Sequence, residues 1–277
     1  MGARTCKALA VDDLLAPLDT VADVAWSAVV LDAASGRLLA VRHPERVLPT
    51  ASVGKLLLLL ETARRLADGR LDPATPLRRK PADSVADSGL WQHLRTESLP
   101  LEDVALLVAS VSDNLATNVL LRHVGLDAVA EVGPSLGLAT LSLNDRVRDV
   151  RTPGDPPTLS EGCALDLARF AALLATEDGL DWAVLRRWLA SGVDLSMVPG
   201  DLGLDPLAHV EEDRGIRLLG KTGTDAGVRA DVGIVAAGGE VTAYAVVATW
   251  TPSARDPVRD DVLHAMRAVG RRIAARG

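Results

Sequence analysis

The sequence predicts an α/β fold of the α+β kind, with strands from both ends of the chain sharing one antiparallel sheet and a helical block between them. Three observations carry this prediction. Period-two patterns occupy 26–43 near the start and 216–249 near the end. Between them, apolar residues from 51 to 191 recur at the three-to-four spacing of helices. The 240–275 region then returns from strand to a closing helix, so both ends supply the same layers.

Taken in order, 11–22 reads as an amphipathic opening helix. Trp26–Asp32, a turn at Ala33–Gly36 and Arg37–His43 read as a hairpin. The helical pattern of 51–66 starts after Thr50 and Ser52, both suited to an N-terminal cap. A further helix is predicted over 101–125, opened by Glu102 and Asp103 and stopped by Gly125. Residues 126–137, 161–176 and 181–191 follow as helices, with a Pro/Gly-rich loop over 142–160. The 193–213 stretch is irregular, three strands occupy 216–224, 228–237 and 240–249, and 257–275 closes the chain as a helix. The expected organisation is a discontinuous α/β lobe (1–50 and 213–277), an all-α lobe (51–212), and an active site between them.

Composition narrows the function. A chain of 277 residues with 48% apolar residues can bury a substantial core. A net charge of −7, no basic stripe and only 3% aromatics argue against a nucleic-acid partner. Asp12 and Asp13 interrupt the N-terminus before any apolar run, and the leucine run at 56–60 is too short to span a bilayer. A cytoplasmic protein with no membrane partner is expected. Cys6 and Cys163 are far apart and have neither metal-ligand nor redox spacing.

Three short motifs carry the chemistry: Ser52-Val53-Gly54-Lys55, Ser112-Asp113-Asn114 and Lys221-Thr222-Gly223. The chain has only four lysines, Lys7, Lys55, Lys80 and Lys221, in an arginine-rich background. A desolvated lysine can act as a base, whereas arginine cannot. Ser52 and Lys55 share a helix face at i, i+3, so the amine can take the hydroxyl proton. The helix N-terminus supplies N–H groups for a developing oxyanion. Singly, the first two motifs read equally as capped helix starts, and the third as a strand end entering a turn.

Taken in this order and context, the motifs resemble those of serine β-lactamases and penicillin-binding proteins, class A β-lactamases most closely. The resemblance extends to Pro49–Lys55 with its leucine run, to Ser112–Leu121, and to Lys221–Thr224 followed by Gly227, Val228, Arg229 and Asp231. It implies the β-lactamase-like fold and acylation of Ser52 with Lys55 as base or proton relay. Ser112 would shuttle the proton to the leaving group, and Asn114 would hold the substrate amide and Lys55. Lys221, Thr222 and Thr224 would bind a substrate carboxylate, joined by Arg229, or polarise Ser112. Backbone N–H groups of Ser52 and Thr224 would form the oxyanion hole. No metal or other cofactor is implied, and the partner is a small-molecule acyl donor, with an amine as a further candidate acceptor.

One departure stands out. Matching Asp145-Arg146 to the family's loop entrance puts Arg148 where a Glu activates the deacylating water. Acylation stays intact without that Glu, but its breakdown does not follow the family pattern. Three reactions are open: hydrolysis of an amide, lactam or ester; transfer to an amine without ATP, as in antibiotic biosynthesis; and D,D-peptidase action. An acylated sensor that does not turn over is the non-enzymatic alternative. A literal phosphate-loop match at Gly215–Thr222 lacks the strand-before, helix-after context it requires.

Overall fold

The computed structural model describes residues 14–276. Cys6 and the first residues of the expected opening helix lie outside the described residues. In chain order the elements are β1 (Ala25–Asp32), β2 (Leu38–Arg42), β3 (Val47–Pro49), α1 (Lys55–Ala67), β4 (Pro76–Arg78), β5 (Ser98–Pro100), α2 (Leu101–Ser110) and α3 (Asn114–Val124). They continue with α4 (Leu126–Ala130), α5 (Val132–Ser135), β6 (Ser142–Leu143), β7 (Ser160–Cys163), α6 (Ala164–Thr176) and α7 (Leu180–Leu189). The chain closes with β8 (Ile216–Asp225), β9 (Val228–Ala237), β10 (Glu240–Thr249) and α8 (Pro257–Ala274).

The main sheet has the order β2-β1-β10-β9-β8, and all its pairs are antiparallel. β1 pairs with β10 across most of the sequence, from Ala25 opposite Thr249 to Asp32 opposite Thr242. Both faces of the sheet are covered, so the central strands are continuously apolar yet still alternate in partner. Ala28, Val30, Val246 and Ala248 pack with Leu14, Leu18, Met266 and Val269 of the terminal segments. Val29, Leu31, Ala245 and Val247 pack with α6 and the helical block. Among the described part of the expected opening helix, only a short 3-10 turn forms, at Ala16–Thr20, with Pro17 near its start.

Two sequence expectations are corrected here. The predicted helix over 101–125 is broken at Val111–Asp113, because Asp113 caps a new helix: its carboxylate accepts the Ala116 N–H at 2.8 Å. The predicted helix over 161–176 starts later, since Ser160–Cys163 is a strand, and Cys163 is the buried residue that hands over to α6. Leu56–Leu60 are all buried in α1, and each contributes roughly 1.5–3 kcal/mol on burial. That helix is the axis of the helical block, contacted by α2, α3, α4 and α7. No helix among the described residues is long and apolar enough to cross a membrane.

Candidate active site

Ser52 lies in a 3-10 turn, Ala51–Gly54, immediately before α1. The turn is clamped from behind by β7. The Ser160 hydroxyl donates to the Ala51 carbonyl at 2.5 Å and lies 2.7 Å from the Thr50 hydroxyl, while the Thr50 N–H donates to the Ser160 carbonyl. Ala51 is held at φ +48°, a left-handed conformation that a non-glycine residue keeps only when its surroundings impose it. On the other side, β8 approaches so closely that a Cβ on Gly223 would sit 2.1 Å from the Thr50 carbonyl oxygen and 3.1 Å from the Ser52 nitrogen. Glycine is therefore required in Lys221-Thr222-Gly223. It lets the strand carrying Thr224 lie against the N–H of Ser52.

Lys55 is fully buried one helical turn below Ser52. Its Nζ donates to the Ser112 carbonyl at 2.7 Å, to Asn114 Oδ1 at 2.8 Å and to the Ser112 hydroxyl at 3.2 Å. Burial, followed by the charge of Lys221, holds its pKa well below the usual lysine range. Ser112 occupies the break between α2 and α3 at φ +55°, a second strained residue facing the same space. Asp113 anchors this break from beneath by accepting the Leu90 and Trp91 N–H groups at 2.7 and 2.8 Å. The capped-helix reading and the catalytic reading of this motif thus fall on different residues.

A cavity of about 360 Å³ is lined by Ser52, Ser112, Lys221, Thr222 and Thr224. Lys221 is buried, donates to the Thr222 carbonyl at 2.8 Å, and is brought by burial to a pKa of about 8 against the opposing pull of Asp194 and Asp231. The sequence reading gave neither of these carboxylates a role, although Asp231 stood among the residues that carry the resemblance. Asp231, on β9, is raised to about 7 by burial and accepts from the Val198 N–H at 2.9 Å and the Tyr244 hydroxyl at 3.2 Å. A lone acid within the apolar run of 228–237 was the available signal for it. Asp194 accepts the Thr222 hydroxyl at 2.8 Å from an irregular segment that carries no pattern. Asp87 and His209 also line the cavity.

One expected placement is corrected. Arg229 does not line the cavity. Its guanidinium donates to the carbonyls of Asp225 and Val228 and lies 5.9 Å from the ring of Trp250. Arg148 is also turned away from the cavity, into its own loop. It pairs with Asp145 at 2.6 Å and Asp155 at 3.0 Å, and Arg151 joins Asp145 at 2.9 Å. Asn118 pins this loop to α3 by accepting the Val147 N–H and donating to the Val147 carbonyl. Among the described residues, no carboxylate of 142–160 lines the cavity. Asp149 instead accepts the Ala86 N–H. The phosphate-loop match at 215–222 is strand throughout most of its length and leads into another strand, so it has no helix to present to a phosphate. No group of three metal-ligating side chains occurs among the described residues.

A sheet flanked by helices, with Ser52 and Lys55 at the head of a buried helix, describes a serine hydrolase-type enzyme. The chain belongs to the beta-lactamase enzyme family, whose model matches residues 10–276. Among solved structures it is similar to a beta-lactamase from Sphaerobacter thermophilus, at 25% identity and a TM-score of 0.78, over 93% of this chain and 92% of that one. An ancestral class A beta-lactamase matches at 21% identity and a TM-score of 0.77, covering 94% and 97% of the two chains. A mutant of PBP-A, solved as an acyl-enzyme complex with penicillin G, matches at 19% identity and a TM-score of 0.75, covering 94% of each chain. No curated protein matches the chain.

Proposed function

We propose that this protein is an acyl-transfer enzyme that forms a covalent acyl-enzyme on Ser52 from an amide, lactam or ester. The carrying observation is the buried Lys55 amine, hydrogen-bonded to Asn114 and to Ser112, which lines the cavity with Ser52. As an ammonium it satisfies three acceptors. As a neutral amine it keeps two N–H donors and presents a lone pair to the Ser52 proton. Burial and the charge of Lys221 lower its pKa, which favours that neutral form. Ser52 then attacks the carbonyl, the oxyanion is held by the N–H groups of Ser52 and Thr224, and Ser112 passes the proton to the leaving group. The PBP-A structure that shares this fold is an acyl-enzyme with penicillin G, and the same covalent step is inferred here.

Breakdown of the acyl-enzyme is the atypical part of this reading. Arg148 is held by Asp145 and Asp155 in the loop, leaving water or an amine to be activated by Lys55 or Ser112. The reading therefore favours slow hydrolysis or transfer to an amine, as in an ATP-independent amide-forming step of antibiotic biosynthesis, over rapid β-lactam turnover. The test is pre-steady-state kinetics with an activated ester and with a penicillin. A burst of one acylation per active site, read as leaving-group release from the ester and as ring opening of the penicillin, followed by a slow phase supports it. The burst should vanish in Ser52→Ala and persist in Arg148→Ala. Rapid multiple turnover of penicillin without a burst would favour a β-lactamase, with another group doing the work of the Glu.

A further inference from the structure

The turn that follows Asp205 inverts the usual order of burial. Leu207 is 82% exposed and Val210 48%, while His209 between them is only 3% exposed. Burying Leu207 instead would be the more stabilising choice, so the buried ring is the feature that asks for a reason. Asp205 builds the turn: its carboxylate accepts the Leu207 N–H at 2.9 Å, and its carbonyl accepts the Ala208 N–H at 3.2 Å. The same carbonyl lies 2.8 Å from His209 Nδ1. A carbonyl only accepts, so Nδ1 carries the proton and, in the neutral ring, Nε2 presents a lone pair. Nε2 has no partner among the described residues, yet it is not sealed off. The space it opens on is the cavity that Ser52 also lines.

The cavity follows the free edge of β8, where Leu218, Gly220, Thr222 and Thr224 line it. The turn carrying Ser52 packs against Gly223. The segment carrying His209 joins the strand at its other end, where Asp213 and Ile216 exchange N–H to carbonyl bonds at 2.9 and 2.8 Å. A strand advances roughly 20 Å between Ile216 and Gly223. We propose that His209 is a second recognition point of this cavity. It accepts a hydrogen bond from an N–H or O–H group of an elongated substrate whose reacting carbonyl lies at Ser52. Pro199 and Leu218 supply apolar wall for the connecting chain. A methyl group in that place would cover the Nε2 lone pair without satisfying it, which is the basis of discrimination. The selection is by hydrogen-bond direction and not by charge. This assignment rests on the acyl-transfer reading of Ser52 and extends it to a substrate class.

The test uses activated esters whose acyl chains, graded in length up to roughly 20 Å, end in either a hydroxyl or a methyl group. Ser52 acylation rates are read by mass spectrometry. At one chain length the wild-type protein should favour the hydroxyl ester over its methyl partner by about tenfold, and at shorter lengths by little. His209→Asn can still donate to the Asp205 carbonyl but ends short of Nε2, and it should abolish that maximum. His209→Gln extends to the place of Nε2 and should keep more of the preference than His209→Asn. Each ratio is read within one protein, so a general loss of activity in a variant cancels. No maximum at any length in the wild type, or a maximum unchanged in His209→Asn, overturns the assignment of His209 and leaves the acyl-transfer reading standing. If no ester acylates Ser52 in the wild-type protein, the acyl-transfer reading falls, and this inference falls with it.

Discussion

Lys55 Nζ lies 2.8 Å from Oδ1 of Asn114, a contact that ties the start of α1, just after the turn carrying Ser52, to the start of α3. Both residues are buried, so each depends on the other for satisfaction of its polar atoms. Lys55→Ala is expected to lower the acylation rate by about a thousandfold, within the range general-base losses reach. Lys55→Arg should not rescue it, because a guanidinium does not deprotonate. Asn114→Ala should cost about 10- to 100-fold by releasing the amine from its fixed position. Stopped-flow acylation rates check the series, and full activity in Lys55→Arg would remove lysine from the base role.

Arg148 acts within its loop. Arg148→Ala should leave acylation within about threefold of wild type and lower the melting temperature, since Asp145 and Asp155 lose their shared partner. Arg148→Glu should destabilise further by setting a third carboxylate against those two, and should not install fast deacylation. Thermal unfolding and steady-state hydrolysis measured together check both variants. Penicillin turnover raised strongly in Arg148→Glu would show that the side chain reaches the cavity after all.

Asp231 gives the fold a pH dependence of known sign. An unfolded Asp titrates near 3.8, while the buried one titrates at about 7. Between these values the folded chain holds a proton that the unfolded chain has released, so stability falls as pH rises through that window. The full shift corresponds to a loss of about 4 kcal/mol, complete above pH 7. Asp231→Asn can still accept from Val198 and can donate to Tyr244, and it should remove this slope. Urea unfolding at pH 5 and pH 8 should show the variant gaining on the wild type at the higher pH; equal differences at both would contradict the assignment.

Gly223→Ala should separate scaffold from chemistry. The added methyl meets a backbone oxygen at 2.1 Å, so either β8 or the Ala51–Gly54 turn must move. Overpacking of this kind costs about 1–3 kcal/mol. The same movement displaces Thr224 from Ser52, so the loss of acylation should exceed what the drop in melting temperature alone would give. Acylation rates and melting temperatures of the same preparation check this.

The strands and helices that carry period signals over eight or more residues were legible in the sequence: β1, β8, β9, β10, α1 and α8 all form where the pattern places them. The short strands β3 to β7 were not, since two to four residues contain no period, and their pairing is decided by partners distant in sequence, as with Leu48 opposite Gly162. The apolar spacing stays helical on both sides of Ser112, so the capped-start reading of Ser112-Asp113-Asn114 was the one signal of the break there. Within the site, Ser52, Lys55, Ser112, Asn114 and Lys221 could be named because their spacing is local. Asp194 could not be, because its role depends on meeting Thr222, 28 residues later, in space. Arg229 was misjudged for a similar reason: its strand position was right, but Trp250 and two carbonyls hold its side chain elsewhere.

The most direct measurement of the central claim is intact mass spectrometry of the wild-type protein and Ser52→Ala at timed intervals after addition of an activated neutral ester. The wild type should gain one acyl mass that persists well beyond the burst and maps to the peptide containing Ser52, and Ser52→Ala should gain none. An adduct of equal size on Ser52→Ala, or no adduct on either protein, would contradict the account.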